Sequence, residues 1–237
     1  MLRKSLLLSL FVTAATFLAS AQDEAVPFEK ELEKLTADEV LKLVRYSYTV
    51  TDQEFDARLR KDFQLIPFKL SLRPNYLRFR FEDPPQAVHL DTSEEKLVLR
   101  EVVKGSNEPV PPERYGELIR NTDITYEDLA LRFLYWPNPQ ILEQTKVKTR
   151  PAWKLRLMNP DERGPYGYVD VWIDKASGGL IKLEGYAHGP NPRMIKDFEV
   201  SHGRKIKDVW IADILRVRSF TEGKKEGTTW LEILDIK

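Results

Sequence analysis

Beyond Gln53 the apolar positions of this chain recur mostly at every second residue. Ile66, Phe68, Leu70 and Leu72 share one parity, while Pro67, Lys69, Ser71 and Arg73 hold the other. After a turn headed by Asn75, Leu77, Phe79 and Phe81 alternate with Arg78, Arg80 and Glu82, and Val88, Leu90, Leu97 and Leu99 continue the pattern. Trp153, Leu155 and Leu157 are separated by Lys154 and Arg156; Val169, Val171 and Ile173 are interleaved with Tyr168, Asp170 and Trp172. Strand side chains point alternately to two faces, so this pattern predicts antiparallel sheet with one buried and one wet face. The run from Asp174 to Gly179 has hairpin chemistry and leads into a strand from Leu180 to Tyr186. Further strands fit Met194 to Ser201, Val209 to Phe220 and Thr228 to Ile236. The spacing predicts about eleven strands in an up-and-down barrel or a strongly curved sheet, which encloses more space than its own side chains fill.

Two stretches break the alternation with helical spacing. From Val26 to Arg45 the sequence predicts a helix, with Thr36 and Glu39 as a capping box and Val40, Leu41 and Val44 as its apolar stripe. The second runs from Asn121 to Trp136. Thr125 can cap its first turn, Glu127 and Asp128 put negative charge at its N-terminal end, and Leu129, Phe133 and Trp136 form a stripe. A short helical piece from Glu113 to Ile119 follows Pro109, Pro111 and Pro112. The strands on either side of these prolines are too few to close separate cores, so a single domain over residues 22–237 is expected.

The chain's opening residues bear on where it works. Arg3 and Lys4, an apolar run from Ser5 to Leu18, and Ala19-Ser20-Ala21 before Gln22 form the pattern of a secretory signal peptide over residues 1–21. The run is short for a membrane span, and no Cys follows the cleavage site to carry a lipid. The expectation is an exported, periplasmic protein, monomeric and without an integral membrane segment after cleavage. Removing Arg3 and Lys4 from 37 basic residues leaves 35 against 37 acidic ones, so no basic excess points to nucleic acid.

The chemistry the residues allow is narrow. With no Cys, disulfides, thiolate metal ligands and cysteine nucleophiles are excluded together. His89, His188 and His202 show no metal-ligand spacing, no phosphate-cradling glycine loop or dinucleotide fingerprint occurs, and Ser177 reads as part of a turn. Asp170 and Asp174 share a face, with solvation of the outer surface as their expected role. No catalytic residue, metal or cofactor is therefore assigned. The binding inventory is richer. Phe68, Leu70, Leu77, Phe79, Phe81, Trp153 and Leu155 occupy inward strand positions, and Tyr126, Leu129, Phe133 and Trp136 lie on the aromatic segment. Either set can serve as ordinary core. Together they also fit an apolar cavity wall and its cover. Trp210 and Trp230 can be core or rim.

The run Asn121-Thr122-Asp123-Ile124-Thr125-Tyr126-Glu127-Asp128-Leu129 resembles the TYEDL segment of the bacterial outer-membrane lipoprotein-sorting proteins, the LolA-like family. The hairpin from Tyr168 to Tyr186 is of the same style, and the likeness spans about Leu35 to Lys237. The resemblance implies an incomplete antiparallel β-barrel whose concave apolar face is covered by helices. It also implies that the cavity shields a lipoprotein acyl chain or other hydrophobic ligand, and that envelope proteins are partners. In the family an arginine on an early strand holds the cover closed; Arg58, Arg60, Arg78 and Arg80 are its candidate counterparts here. Three functions follow, in order: a carrier of a hydrophobic envelope ligand, an envelope interaction module without a small ligand, and a cofactor-free enzyme using the same cavity.

Overall fold

The computed structural model describes residues 34–49, 52–73, 76–91, 97–206 and 209–236. The signal-peptide reading, the part of the first expected helix ahead of residue 34, and the side chain of Trp210 lie outside the described residues.

Helix α1, Ala37–Thr49, begins directly after Thr36 and carries Asp38 and Glu39 in its first turn. Val40, Leu41 and Val44 are buried to the last atom, and the helix rests on strand β2. The strands are β1 (Gln53–Lys61), β2 (Gln64–Arg73), β3 (Tyr76–Phe81), β4 (Gln86–Asp91), β5 (Val98–Val103), β6 (Ser106–Pro109), β7 (Gln140–Val147), β8 (Arg150–Met158), β9 (Tyr168–Asp174), β10 (Leu180–Tyr186), β11 (Met194–Ile206), β12 (Val209–Thr221) and β13 (Lys224–Ile236).

All thirteen belong to one antiparallel sheet in the order β6-β5-β4-β3-β2-β1-β13-β12-β11-β10-β9-β8-β7. Two meanders thus meet where β1 pairs with β13, through Ala57 with Ile233 and Leu59 with Leu231. The sheet is open, its edges being β6 and β7, and the expected eleven strands become thirteen. The edges are where alternation is weakest. All four residues of β6 are exposed, and β7 (QILEQTKV) is exposed at six of its eight. A strand that buries neither face leaves no period of two to read.

One face of the sheet is mostly apolar. The cross-strand row Thr229, Val217, Phe198, Leu183, Val171, Leu155 runs from β13 to β8. On the same face a second row runs from Ile233 on β13 through Ala57, Phe68 and Phe81. This is the inner face. The outer face carries ion-pair ladders, which correct one expectation. Asp170 and Asp174 are not solvating groups but are themselves buried. Arg156 grips Asp170 at 2.7 and 2.9 Å, and Arg150 grips Asp174 at 2.9 and 2.7 Å. Burial opposes ionisation of Asp174, but bonds from Arg150 and Ser177 hold its pKa below the ordinary carboxylate value.

Residues 110–139 carry the chain from the β6 edge to the β7 edge as a strap. The expected helix over Asn121 to Trp136 is there only as α2, Tyr126–Ala130, followed by a 3-10 turn over Arg132–Tyr135. The piece expected from Glu113 to Ile119 is reduced to a 3-10 turn at Pro112–Arg114. Thr125 does form the predicted cap, accepting from the amide of Asp128 while the Asp128 carboxylate accepts from the amide of Thr125. Leu131 then turns left-handed at φ 48° and ends the helix. All five residues of α2 are buried, Glu127 and Asp128 included. A striped helix keeps one wet face; this one has none, and contacts on every side override its helical propensity.

Candidate functional site

The apolar residues expected to form a wall fall into two groups at opposite ends of the inner face. Phe68 and Leu70 on β2 pair with Phe81 and Phe79 on β3, and Leu77 pairs with Leu72. The ring of Phe68 stands 5.7 Å from Phe79 and 5.4 Å from Phe81. Trp153 and Leu155 lie on β8, with six strands between it and β2 in the sheet order. Of the cover residues, Phe133 and Trp136 meet edge to face at 6.4 Å. Tyr126 reaches β5, bonding the Glu101 carboxylate, and receives 3.0 Å and 3.3 Å bonds from Arg114 and Gln86. Every one of the expected wall and cover residues is buried except Leu77, which is half-buried.

Polar groups hold the strap, and the apolar pattern does not announce them. Across the upper inner face runs the row Gly227, Ser219, Lys196, Gly185. Two glycines leave room, which Asp123 of the strap and Tyr166 of the β8–β9 loop fill. A Cβ on Gly227 would fall 2.1 Å from Asp123 Oδ1, and one on Gly185 would fall 2.3 Å from the ring of Tyr166. Asp123 accepts bonds from Ser219 and Thr229 at 2.6 and 2.8 Å, and Lys61 stands 3.3 Å away. Burial opposes its ionisation, yet these bonds and the Lys61 charge keep its pKa below the usual range. Lys196, almost buried, donates to the Asp123 carbonyl at 2.6 Å and to Asp128 Oδ2 at 3.2 Å. Tyr166, wholly buried, donates to the other Asp128 oxygen. From α1, Arg45 reaches the Leu134 carbonyl at 2.9 Å.

These contacts also place the four candidate latch arginines. Arg58 and Arg60 turn to the outer face and bind Glu232 at 2.6 and 2.8 Å, with Arg60 over the ring of Trp230. Arg80 is exposed and Arg78 faces outward beside His89. The basic side chains from outside the strap that reach it are instead Lys196, Lys61 and Arg45 among the described residues. Lys196 was findable, since it shares the inward parity of Phe198, and a lysine there needs a buried partner. Gly185 within an alternating strand was a second signal, because a strand glycine often marks a close approach.

Glu127 is wholly buried and bonds Arg132 at 2.9 Å. Burial raises its pKa from 4.5 to about 7 against the opposing pull of Arg132, and Asp128 and Asp161 add to the rise. The folded state therefore holds this proton more tightly than the unfolded state. The resulting stabilisation is complete below about pH 4.5 and is lost as pH rises through about 7, a span worth about 3 kcal/mol. Glu127→Gln mimics the protonated form, so it is expected to stabilise the protein at pH 8 and to change little at pH 5. Urea midpoints of both proteins at the two pH values measure this, and a difference independent of pH refutes it.

Beside Glu127, Pro112, Glu113, Gly116, Arg163, Gly164 and Pro165 line a cleft of about 340 Å³. It lies apart from the expected wall. His89, on β4, and His202, on β11, are in different strands, and His188 is in the loop between β10 and β11. Among the described residues no group of three or more His, Asp or Glu side chains could hold a metal ion, and no helix is long and apolar enough to cross a membrane.

This open sheet with its covered inner face is similar in fold to solved LolA-superfamily structures. An outer membrane lipoprotein-sorting protein domain from Vibrio parahaemolyticus superposes with a TM-score of 0.66 at 14% identity, over 85% of this chain and 93% of that one. A LolA superfamily protein from Nitrosomonas europaea gives 0.61 at 16% identity, over 86% and 93%. A DUF1329 family protein from Desulfovibrio piger gives 0.58 at 12% identity, over 85% and 92%. No curated protein matches the chain. Residues 111–237, more than half of it, match the model of a family described as "-like: Uncharacterized protein", and the chain belongs to that family.

Proposed function

We propose that this protein is an exported, periplasmic binding or carrier protein that holds an acyl chain, or another hydrophobic envelope ligand, against the inner face of the sheet beneath the strap. The observation that carries this is how the face is covered. Its apolar floor extends from Phe81 to Leu155, yet the strap is fixed along one margin by discrete polar groups, Asp123, Asp128, Lys196 and Tyr166. Hydrogen bonds of this kind contribute about 1 kcal/mol each, more where a charge takes part. Each acyl CH₂ moved from water onto the floor returns about 0.8 kcal/mol. A long acyl chain can therefore offset release of the strap. The signal-peptide pattern and the fold shared with a lipoprotein-sorting domain support the same reading.

Tyr126, Leu129, Phe133 and Trp136 would then form the movable cover, and Phe68, Leu70, Leu77, Phe79, Phe81, Trp153 and Leu155 the floor. A second reading, an envelope interaction module without a small ligand, is favoured by one observation: all of these but Leu77 are already buried by the protein itself. Native mass spectrometry with solvent extraction, on mature protein from its own periplasm, separates the two. The carrier releases an acyl species of defined mass and binds a fluorescent fatty-acyl probe saturably. Clean protein that also ignores the probe overturns the carrier and leaves the module.

A further inference from the structure

The outer face of β3, β4 and β5 bears three basic side chains that a carrier of acyl chains does not use. Arg78 pairs with His89 and His89 pairs with Arg100, so the three stand side by side on consecutive strands, their Cβ atoms about 5 Å apart. Tyr76 lies against them, its ring 5.4 Å from that of His89. Like charges directly opposite one another destabilise a sheet.

Several arginines elsewhere on the outer face have a neighbouring carboxylate: Arg58 has Glu232, Arg156 has Asp170, Arg216 has Glu199 and Arg218 has Asp197. Here the matching is missing among the described residues. Arg78 Nε and His89 Nδ1 are buried with no hydrogen-bond partner, and His89 as a whole is only 8% exposed. Burial, Arg78 and Arg100 hold the His89 pKa below its ordinary value, and Asp91 pulls the other way. Arg78 and His89 thus bring unpartnered nitrogens to a basic row that Arg100 completes.

We propose that Arg78, His89 and Arg100 bind a phosphate group, either inorganic phosphate or the phosphate monoester of a lipid headgroup. The chemistry of the row selects this class. Two guanidinium groups offer planar, bidentate donors suited to phosphate oxygens. The third cation appears only when His89 takes a proton, and a phosphate monoester itself passes from one to two negative charges near pH 6. Three acceptor oxygens can meet all three side chains, whereas a single carboxylate has two. Binding is therefore coupled to protonation of His89.

The test follows the ring-proton resonances of the three histidines by NMR across about pH 5 to 8, in mature protein, with inorganic phosphate against chloride at matched ionic strength. Phosphate is expected to raise the His89 titration by about one pH unit, equivalent to roughly tenfold tighter binding by the protonated form, and to leave His188 and His202 unmoved. Arg78→Gln and Arg100→Gln should each weaken the response about tenfold or more, and the wild-type titration stands alone if either variant fails to fold. Co-sedimentation with phosphatidylcholine vesicles containing phosphatidic acid, and not with phosphatidylcholine alone, assigns the headgroup; a phosphate response without sedimentation assigns the free anion. The proposal is overturned if His89 ignores phosphate and the vesicles show no preference, if all three histidines shift alike, or if vesicle binding without a phosphate response survives both substitutions.

Discussion

Replacing Asp128 by alanine is expected to cost about 3–5 kcal/mol of stability, because it strands a buried cation. Lys196 is almost without solvent contact, and the Asp128 carboxylate is its counter-charge. The same carboxylate caps α2 through the amide of Thr125 at 2.8 Å and accepts the hydroxyl of Tyr166. Three unrelated parts of the chain therefore converge on one side chain: the strap, β11 and the β8–β9 loop. Once it is gone, Lys196 keeps only the Asp123 carbonyl, and the Tyr166 hydroxyl is left in a site that water does not reach. Urea unfolding should show a lower midpoint with an unchanged slope, and the melting temperature should fall on the order of 10 °C. A loss below about 1 kcal/mol would mean that the site is wetter or more pliable than this geometry allows.

The second large effect is expected from a single added methyl group. Gly227 has no unusual backbone angle to preserve, so alanine fits the strand itself. Its Cβ would nevertheless overlap Asp123 Oδ1 and Cγ, at 2.1 and 2.7 Å. Asp123 is short and already held by Ser219, Thr229 and Lys61, so it has to leave the slot. Gly227→Ala should cost about 2–4 kcal/mol, combining overpacking with lost charge-assisted bonds. Hydrogen exchange supplies the discriminating readout. Amides from Asp123 to Ala130 should exchange faster while the ladder between β12 and β13 keeps its protection. If the strap is the cover of a ligand site, acyl-probe uptake should also quicken. Unchanged exchange in the strap would show that Asp123 is not what fastens it.

Much of the sheet was legible because its residues obey a local rule. Phe68, Leu70, Phe79 and Phe81 alternate and are buried, and Trp153, Leu155 and Leu157 behave likewise. The cap at Thr125 was legible for the same reason, since a capping box needs only three residues of context. What escaped depends on distant parts of the chain. Nothing near Leu131 signals that it will turn left-handed; contacts on all sides of α2 decide that. Asp170 and Asp174 looked like solvating groups until Arg156 and Arg150 were seen on the neighbouring strand. Of the candidate site, the apolar members could be named from the sequence. The polar fastening could not be assembled, because Asp123 and Thr229 stand 106 positions apart.

The pairing of β1 with β13 has a bearing on how the molecule is made. Each meander is built from hairpins between strands close in sequence, which form early and independently. The seam between them joins Phe55 to Ile236, partners separated by nearly the whole described chain. During synthesis β1 emerges long before its second partner, and until β13 arrives its outer edge presents unpaired backbone groups, a template for mispairing with another chain. A nascent chain paused shortly before Lys224 is thus the form most in need of a holding chaperone, and release of the last strand is the step that removes the hazard.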